Sequence, residues 1–122
     1  IYQIDESTEL FITSESDAID GLFNIQQEVN LFRIVQESFN NVIKHSNATA
    51  IQFELTKKKS SVTIKLTDNG KGFDFSEKYK DFNSLGLKTL KERTRYLNGV
   101  MKVNSETNKG TQLEFIIPYN EK

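Results

Sequence analysis

Between residues 51 and 67 the chain alternates apolar and polar side chains in two successive runs. Ile51, Phe53 and Leu55 alternate with Gln52, Glu54 and Thr56, and Val62, Ile64 and Leu66 alternate with Thr63, Lys65 and Thr67. A period of two sends successive side chains to opposite faces, so each run is a strand with one buried face. The intervening Lys57-Lys58-Lys59-Ser60-Ser61 reads as a solvated turn, which makes the pair a hairpin. The apolar face of that hairpin needs a cover.

The cover is helical. Residues 25–45 are expected to form a long helix: at about 100° per residue Leu31, Phe32, Val35, Phe39, Val42 and Ile43 gather on one side. Arg33, Glu37, Asn40, Asn41 and Lys44 gather on the other. A second helix is expected over 86–98 with Leu87, Leu90 and Leu97 inward, ended by the left-handed stop of Asn98-Gly99. Further strands are expected over 8–14 (paired with 1–5), 100–105 and 111–117, with Pro118 closing the last. Residues 15–22 and 69–86 read as loops. Helices and strands do not alternate strictly, so the fold class is α+β, with helices on one face of a mixed, mostly antiparallel sheet. The 122 residues make a single domain, 1–122.

Composition removes several functions. With no cysteine and one histidine, a disulfide framework and a zinc site are excluded, and a reducing compartment is suited. A net charge of −1 without a basic patch argues against nucleic acid as a partner. The apolar runs are too short to span a membrane, so the chain is expected to be soluble and cytoplasmic, without direct membrane contact. It begins at Ile1, as a piece cut from a longer protein would.

Four local features carry chemistry. Asp68 shares parity with Val62, Ile64 and Leu66, so its carboxylate faces the apolar side, where it needs a partner. Asn69-Gly70-Lys71-Gly72-Phe73 follows, with two glycines that allow close approach of a ligand. Such a carboxylate suits an exocyclic amine such as that of adenine, although Asp-Asn-Gly alone is also common turn chemistry. Glu37 and Asn41 stack on one helix face, with Lys44 three residues further on. Hard oxygen ligands there suit Mg2+ and a lysine suits phosphate, although a solvated polar face has the same pattern. Ser84-Leu85-Gly86-Leu87 opens a helix, which is either an anion site or an ordinary start capped by Ser84. Thr111, after Gly110, places a hydroxyl on the apolar parity of Leu113, Phe115 and Ile117. His45 alone reads as a C-terminal capping group.

Together, in this order, the features resemble the GHKL ATPases, the group of gyrase, Hsp90, MutL and the histidine kinases. Glu37-Ser-Phe-Asn-Asn41-Val-Ile-Lys44-His45-Ser-Asn-Ala48 resembles their N box, and Asp68-Asn-Gly70-Lys-Gly72-Phe73 the next glycine motif. Ser84-Leu-Gly86-Leu87 with Glu92-Arg93 and Asn-Gly99 resembles the lid box, and Gly110-Thr111 the last motif. The wording around Arg33–Ala48 is most similar to sensor histidine kinases of the DesK and NarX type. The resemblance covers roughly residues 25–118.

It implies a two-layer α/β sandwich of the Bergerat type that binds ATP or ADP with Mg2+. Asp68 would take the adenine amine, with a water shared with Thr111, and Gly70 and Gly72 would let the chain pass close to the base. Asn41 would coordinate Mg2+, with Glu37 near the metal water, and Lys44 and His45 would lie beside phosphates or ribose. Residues from about 73 to 86 would form a lid in which Leu85, Gly86 and Leu87 offer N–H groups to phosphate, and Phe73, Phe75, Tyr79 and Phe82 pack. Ser84 stands where the family often has the first glycine of Gly-x-Gly. The implied activity is transfer of the ATP γ-phosphoryl to a histidine on a separate dimerisation and phosphoacceptor domain, then to a response regulator. His45 is an N-box position and not that acceptor. Three other functions share the motifs: a nucleotide-binding module without catalysis, a GHKL ATPase using Glu37 to activate water, and an anti-sigma serine kinase.

Overall fold

A computed structural model describes residues 11–45, 48–70, 87–106 and 109–119. In chain order the elements are β1 (Phe11–Ser16), α1 (Ile25–His45), β2 (Ala50–Lys57), β3 (Ser61–Asp68), α2 (Leu87–Tyr96), β4 (Val100–Glu106) and β5 (Gly110–Pro118). The strands form one sheet in the order β1-β2-β3-β5-β4. β1 runs parallel to β2, and the other neighbouring pairs are antiparallel. The sheet is mixed and mostly antiparallel, as the sequence predicts.

The β2–β3 hairpin turns at the lysine run, where the Lys58 N–H donates to the Ser61 carbonyl at 2.8 Å. The Tyr119 hydroxyl reaches the carbonyls of Lys58 and Lys59 and ties the end of β5 to that turn. β1 begins at Phe11 in the described residues and pairs with β2 from Phe11↔Ala50 to Ser16↔Leu55. Its expected pairing with residues 1–5 lies outside the described residues.

α1 spans the predicted 25–45. Its start is a capping box: the Gln27 N–H donates to Asn24 Oδ1 at 2.8 Å, and the Asn24 N–H donates back to Gln27 Oε1 at 2.9 Å. Its buried stripe is rotated from the expected one. Leu31, Ile34, Phe39 and Val42 are buried, whereas Phe32 is 63% exposed and Ile43 39% exposed. The reason is α2, whose Leu87 and Leu90 share a core with Ile34 and draw the contact to that side of α1.

The core lies between the helices and one sheet face. Val62, Ile64 and Leu66 on β3 stand opposite Ile117, Phe115 and Leu113 on β5, and all six are buried. Each such side chain contributes about 1.5–3 kcal/mol by leaving water. Phe39 and Val42 from the second half of α1 form a smaller cluster with Ile51 and Leu66. Both helices thus lie over the face that carries Asp68.

α2 ends at Tyr96, two residues short of the predicted 98, and the left-handed stop at Asn98-Gly99 is the predicted one. Asn98 takes the left-handed conformation (φ 59°), and the Gly99 N–H donates to the Thr94 carbonyl at 2.9 Å. Gly99 is needed for space: a Cβ there would stand 2.7 Å from the Ile116 carbonyl oxygen.

Candidate nucleotide site

Asp68 is the last residue of β3 and is buried, 4% exposed. In register it lies between Ile51 of β2 and Thr111 of β5, and Thr111 lies opposite Ser105 of β4. Its Oδ1 accepts the Gly70 N–H at 2.7 Å. Burial pushes the Asp68 carboxyl above its ordinary 3.8, and backbone N–H donors from Gly70 and Thr111 pull the other way without cancelling it. The result is a carboxylate fixed at the end of the sheet and short of water.

The residues beside it explain how the backbone holds this shape. Asn69 bonds across to the entrance of β2. Its Oδ1 accepts the N–H groups of Thr49 and Ala50 at 2.9 and 3.0 Å, and its Nδ2 donates to Thr49 Oγ1 at 3.0 Å. Asn69 therefore clamps the entrance of β2 to the exit of β3. Gly110 has φ +90° and lies against the Asp68 backbone, where a Cβ would collide with the Asp68 carbonyl oxygen.

Ser105 is a member of this group that sequence reasoning missed. It is 8% exposed, donates to the Gly110 carbonyl at 3.1 Å and lies 2.8 Å from Thr111 Oγ1. A hydroxyl has one proton, so Thr111 is the donor between the two hydroxyls, and its own oxygen is left to accept. The signal that could have found Ser105 is parity with Met101 and Val103, the test already applied to Thr111.

The second wall is α1. Phe39 and Val42 pack on Ile51, the neighbour of Asp68, so the C-terminal half of α1 lies over the Asp68 end of the sheet. Glu37 and Asn41 are half-buried on this part of the helix. Glu37 Oε1 accepts the Arg93 Nε–H at 3.0 Å, a contact that sequence reasoning did not anticipate. Lys44 and His45 belong to the last turn of α1, and their side chains lie outside the described residues.

The remaining predicted positions divide. Leu87 opens α2 with a buried side chain in the main core. Gly72, Phe73, Phe75, Tyr79, Phe82, Ser84, Leu85 and Gly86 lie outside the described residues, as does the rest of the expected lid. Among the described residues no group of three or more His, Cys, Asp or Glu side chains could hold a metal. Mg2+ does not require one, because it commonly keeps waters and leans on nucleotide phosphates. Glu37 is an ion-paired carboxylate. No described helix is long and apolar enough to cross a membrane.

Residues 26–121 match the family described as histidine kinase-, DNA gyrase B-, and HSP90-like ATPase. Sensor histidine kinase LiaS of Bacillus subtilis is 40% identical over 107 residues, which are 88% of this chain and 29% of that protein. The signal transduction histidine-protein kinase/phosphatase DegS of Brevibacillus brevis is 34% identical over 93% of this chain and 29% of its own length. The chain therefore spans under a third of these relatives. Among solved structures, a blue-light activated histidine kinase of Erythrobacter litoralis superposes with a TM-score of 0.78 at 16% identity, covering 90% of this chain and 35% of that one. The ATP binding domain of PrrB from Mycobacterium tuberculosis gives 0.73 at 23% identity, covering 93% of this chain and 82% of that one. These two likenesses concern the fold.

Proposed function

The chain belongs to the family of histidine kinase-, DNA gyrase B- and HSP90-like ATPases, and from that premise we propose that it is the ATP-binding catalytic domain of a sensor histidine kinase of the DesK and NarX type. The observation that carries the reading is Asp68: a buried carboxylate at a strand end, held by two backbone donors beside the Thr111 hydroxyl. A group so placed accepts from the exocyclic amine of adenine and rewards a base that brings a donor.

The other residues take roles around it. Asn41 holds Mg2+, which supplies charge neutralisation at the phosphates when bound. Lys44 lies three residues beyond Asn41 on the same helix face and contributes a point charge toward phosphate. Glu37 lies one turn before Asn41. Gly70 and Gly72 let the backbone approach the base, and Ser84, Leu85, Gly86 and Leu87 offer N–H groups to phosphate. His45 completes the phosphate and ribose side. Catalysis in this reading is mostly positioning and charge stabilisation.

The acceptor is a histidine on the dimerisation domain of the parent chain, and the phosphoryl group then passes to a response regulator. The domain works on the cytoplasmic side, where ATP is available. The test is autophosphorylation of the parent kinase with radiolabelled ATP. Asn41→Ala abolishes labelling in this reading, and undiminished labelling sinks it.

A further inference from the structure

Glu37 is a half-buried N-box residue of α1, one turn before Asn41, and it is not free. Its Oε1 accepts the Arg93 Nε–H at 3.0 Å, with both side chains about one-third exposed, 32% for Arg93 and 30% for Glu37. The partners are 56 residues apart in sequence and belong to different helices. The bond therefore spans the α1–α2 contact on its solvent side, above the buried Ile34, Leu87 and Leu90.

A half-buried Arg–carboxylate bond is better fixed than a surface ion pair, since water screens it less and the planar guanidinium restricts the geometry. Arg93 is backed by a rigid position. The adjacent Thr94 is 1% exposed, and its hydroxyl donates to the Leu90 carbonyl at 2.7 Å. Asp68, in contrast, is held by Gly70 and Thr111 and shares no bond with Arg93 among the described residues. The adenine end and the Glu37 end of the site thus have separate supports.

Resting on the functional reading above, we infer that Arg93 is a positioning residue. It orients the Glu37 carboxylate beside Asn41 and links that part of α1 to α2, the helix that starts directly after residues 71–86. Arg93 acts through Glu37 and does not itself touch adenine. Loss of Arg93 slows phosphoryl transfer while leaving the affinity for ADP nearly unchanged.

The experiment is a double-mutant cycle in the parent kinase, with nucleotide titration of each variant. Arg93→Ala lowers the autophosphorylation rate by about ten- to hundredfold, the range for groups that orient a functional ligand. ADP affinity without Mg2+ changes by less than about twofold, and Arg93→Lys recovers part of the rate. In a Glu37→Ala background, which removes the acceptor, Arg93→Ala has no further effect on rate. A readout independent of activity is the Arg93 Nε–Hε resonance, which is protected from exchange in the wild type and loses protection in Glu37→Ala. Rate losses that multiply in the two backgrounds, or an unchanged rate in Arg93→Ala, overturn the inference. A wild type that binds no nucleotide overturns the functional reading itself.

Discussion

Gly110 lies so close to Asp68 that a methyl group in place of its hydrogen would collide with the Asp68 carbonyl oxygen, and its φ of +90° disfavours any side chain. The start of β5 can therefore approach the end of β3 only as glycine, and that approach brings the Thr111 N–H to the Asp68 carboxylate. Gly110→Ala is expected to destabilise the fold by about 2–4 kcal/mol, combining backbone strain with overpacking. Gly21 is the control: it has φ +79° and nothing within 4 Å of an added Cβ. Gly21→Ala should cost only the strain, about 1 kcal/mol. Denaturant melts of both variants check the difference.

Asp68→Asn separates stability from binding. The folded-state pKa of Asp68 is raised above the ordinary 3.8, mainly by burial. A group raised in this way contributes stability that is fully present below its unfolded pKa and is lost as pH rises through the folded pKa. At neutral pH the ionised Asp68 is thus a cost to the fold, and Asn keeps the acceptor oxygen for Gly70 without the charge. The variant should melt a few degrees higher at neutral pH. That advantage should shrink as pH falls toward and below 3.8. Nucleotide binding should be lost. Equal melting temperatures at neutral pH would show that the two N–H donors fully offset burial.

Asn69→Ala removes three hydrogen bonds that join the ends of β2 and β3. The loss is expected to be about 2–3 kcal/mol, since each bond contributes about 1 kcal/mol net. Hydrogen exchange should show the Thr49 and Ala50 amides losing protection more than the middle of the sheet. Uniform loss across β2 and β3 would mean that the clamp is not local.

Much of this was legible in the sequence, and the parts that were not have physical causes. The hairpin, the limits of α1 and the inward carboxylate of Asp68 all follow from periodicity, which is local. The exposure of Phe32 and burial of Ile34 do not, because both flank the same stripe and the choice depends on where α2 packs. The parallel pairing of β1 with β2 joins strands on either side of a 21-residue helix, so no local pattern reports it. Ser105 was readable by parity but small and polar, and it gained meaning only when Thr111 was found opposite. The Arg93–Glu37 pair needed the helix crossing.

Asn98 offers a further check on the end of α2. It holds the left-handed conformation at φ 59°, which glycine adopts without cost. Asn98→Gly should leave thermal stability nearly unchanged, whereas Asn98→Ala should cost about 1 kcal/mol. Equal effects would mean that the Asn98 side chain, and not its backbone angle, ends the helix.

The most direct test of the central claim is calorimetric titration of this chain with ADP and a nonhydrolysable ATP analogue, with and without Mg2+, beside Asp68→Asn and Asn41→Ala. The account predicts binding by the wild type, loss of binding in Asp68→Asn, and loss of the Mg2+ dependence in Asn41→Ala. A folded wild type that binds neither nucleotide, or an Asp68→Asn variant that binds as well as the wild type, would contradict it.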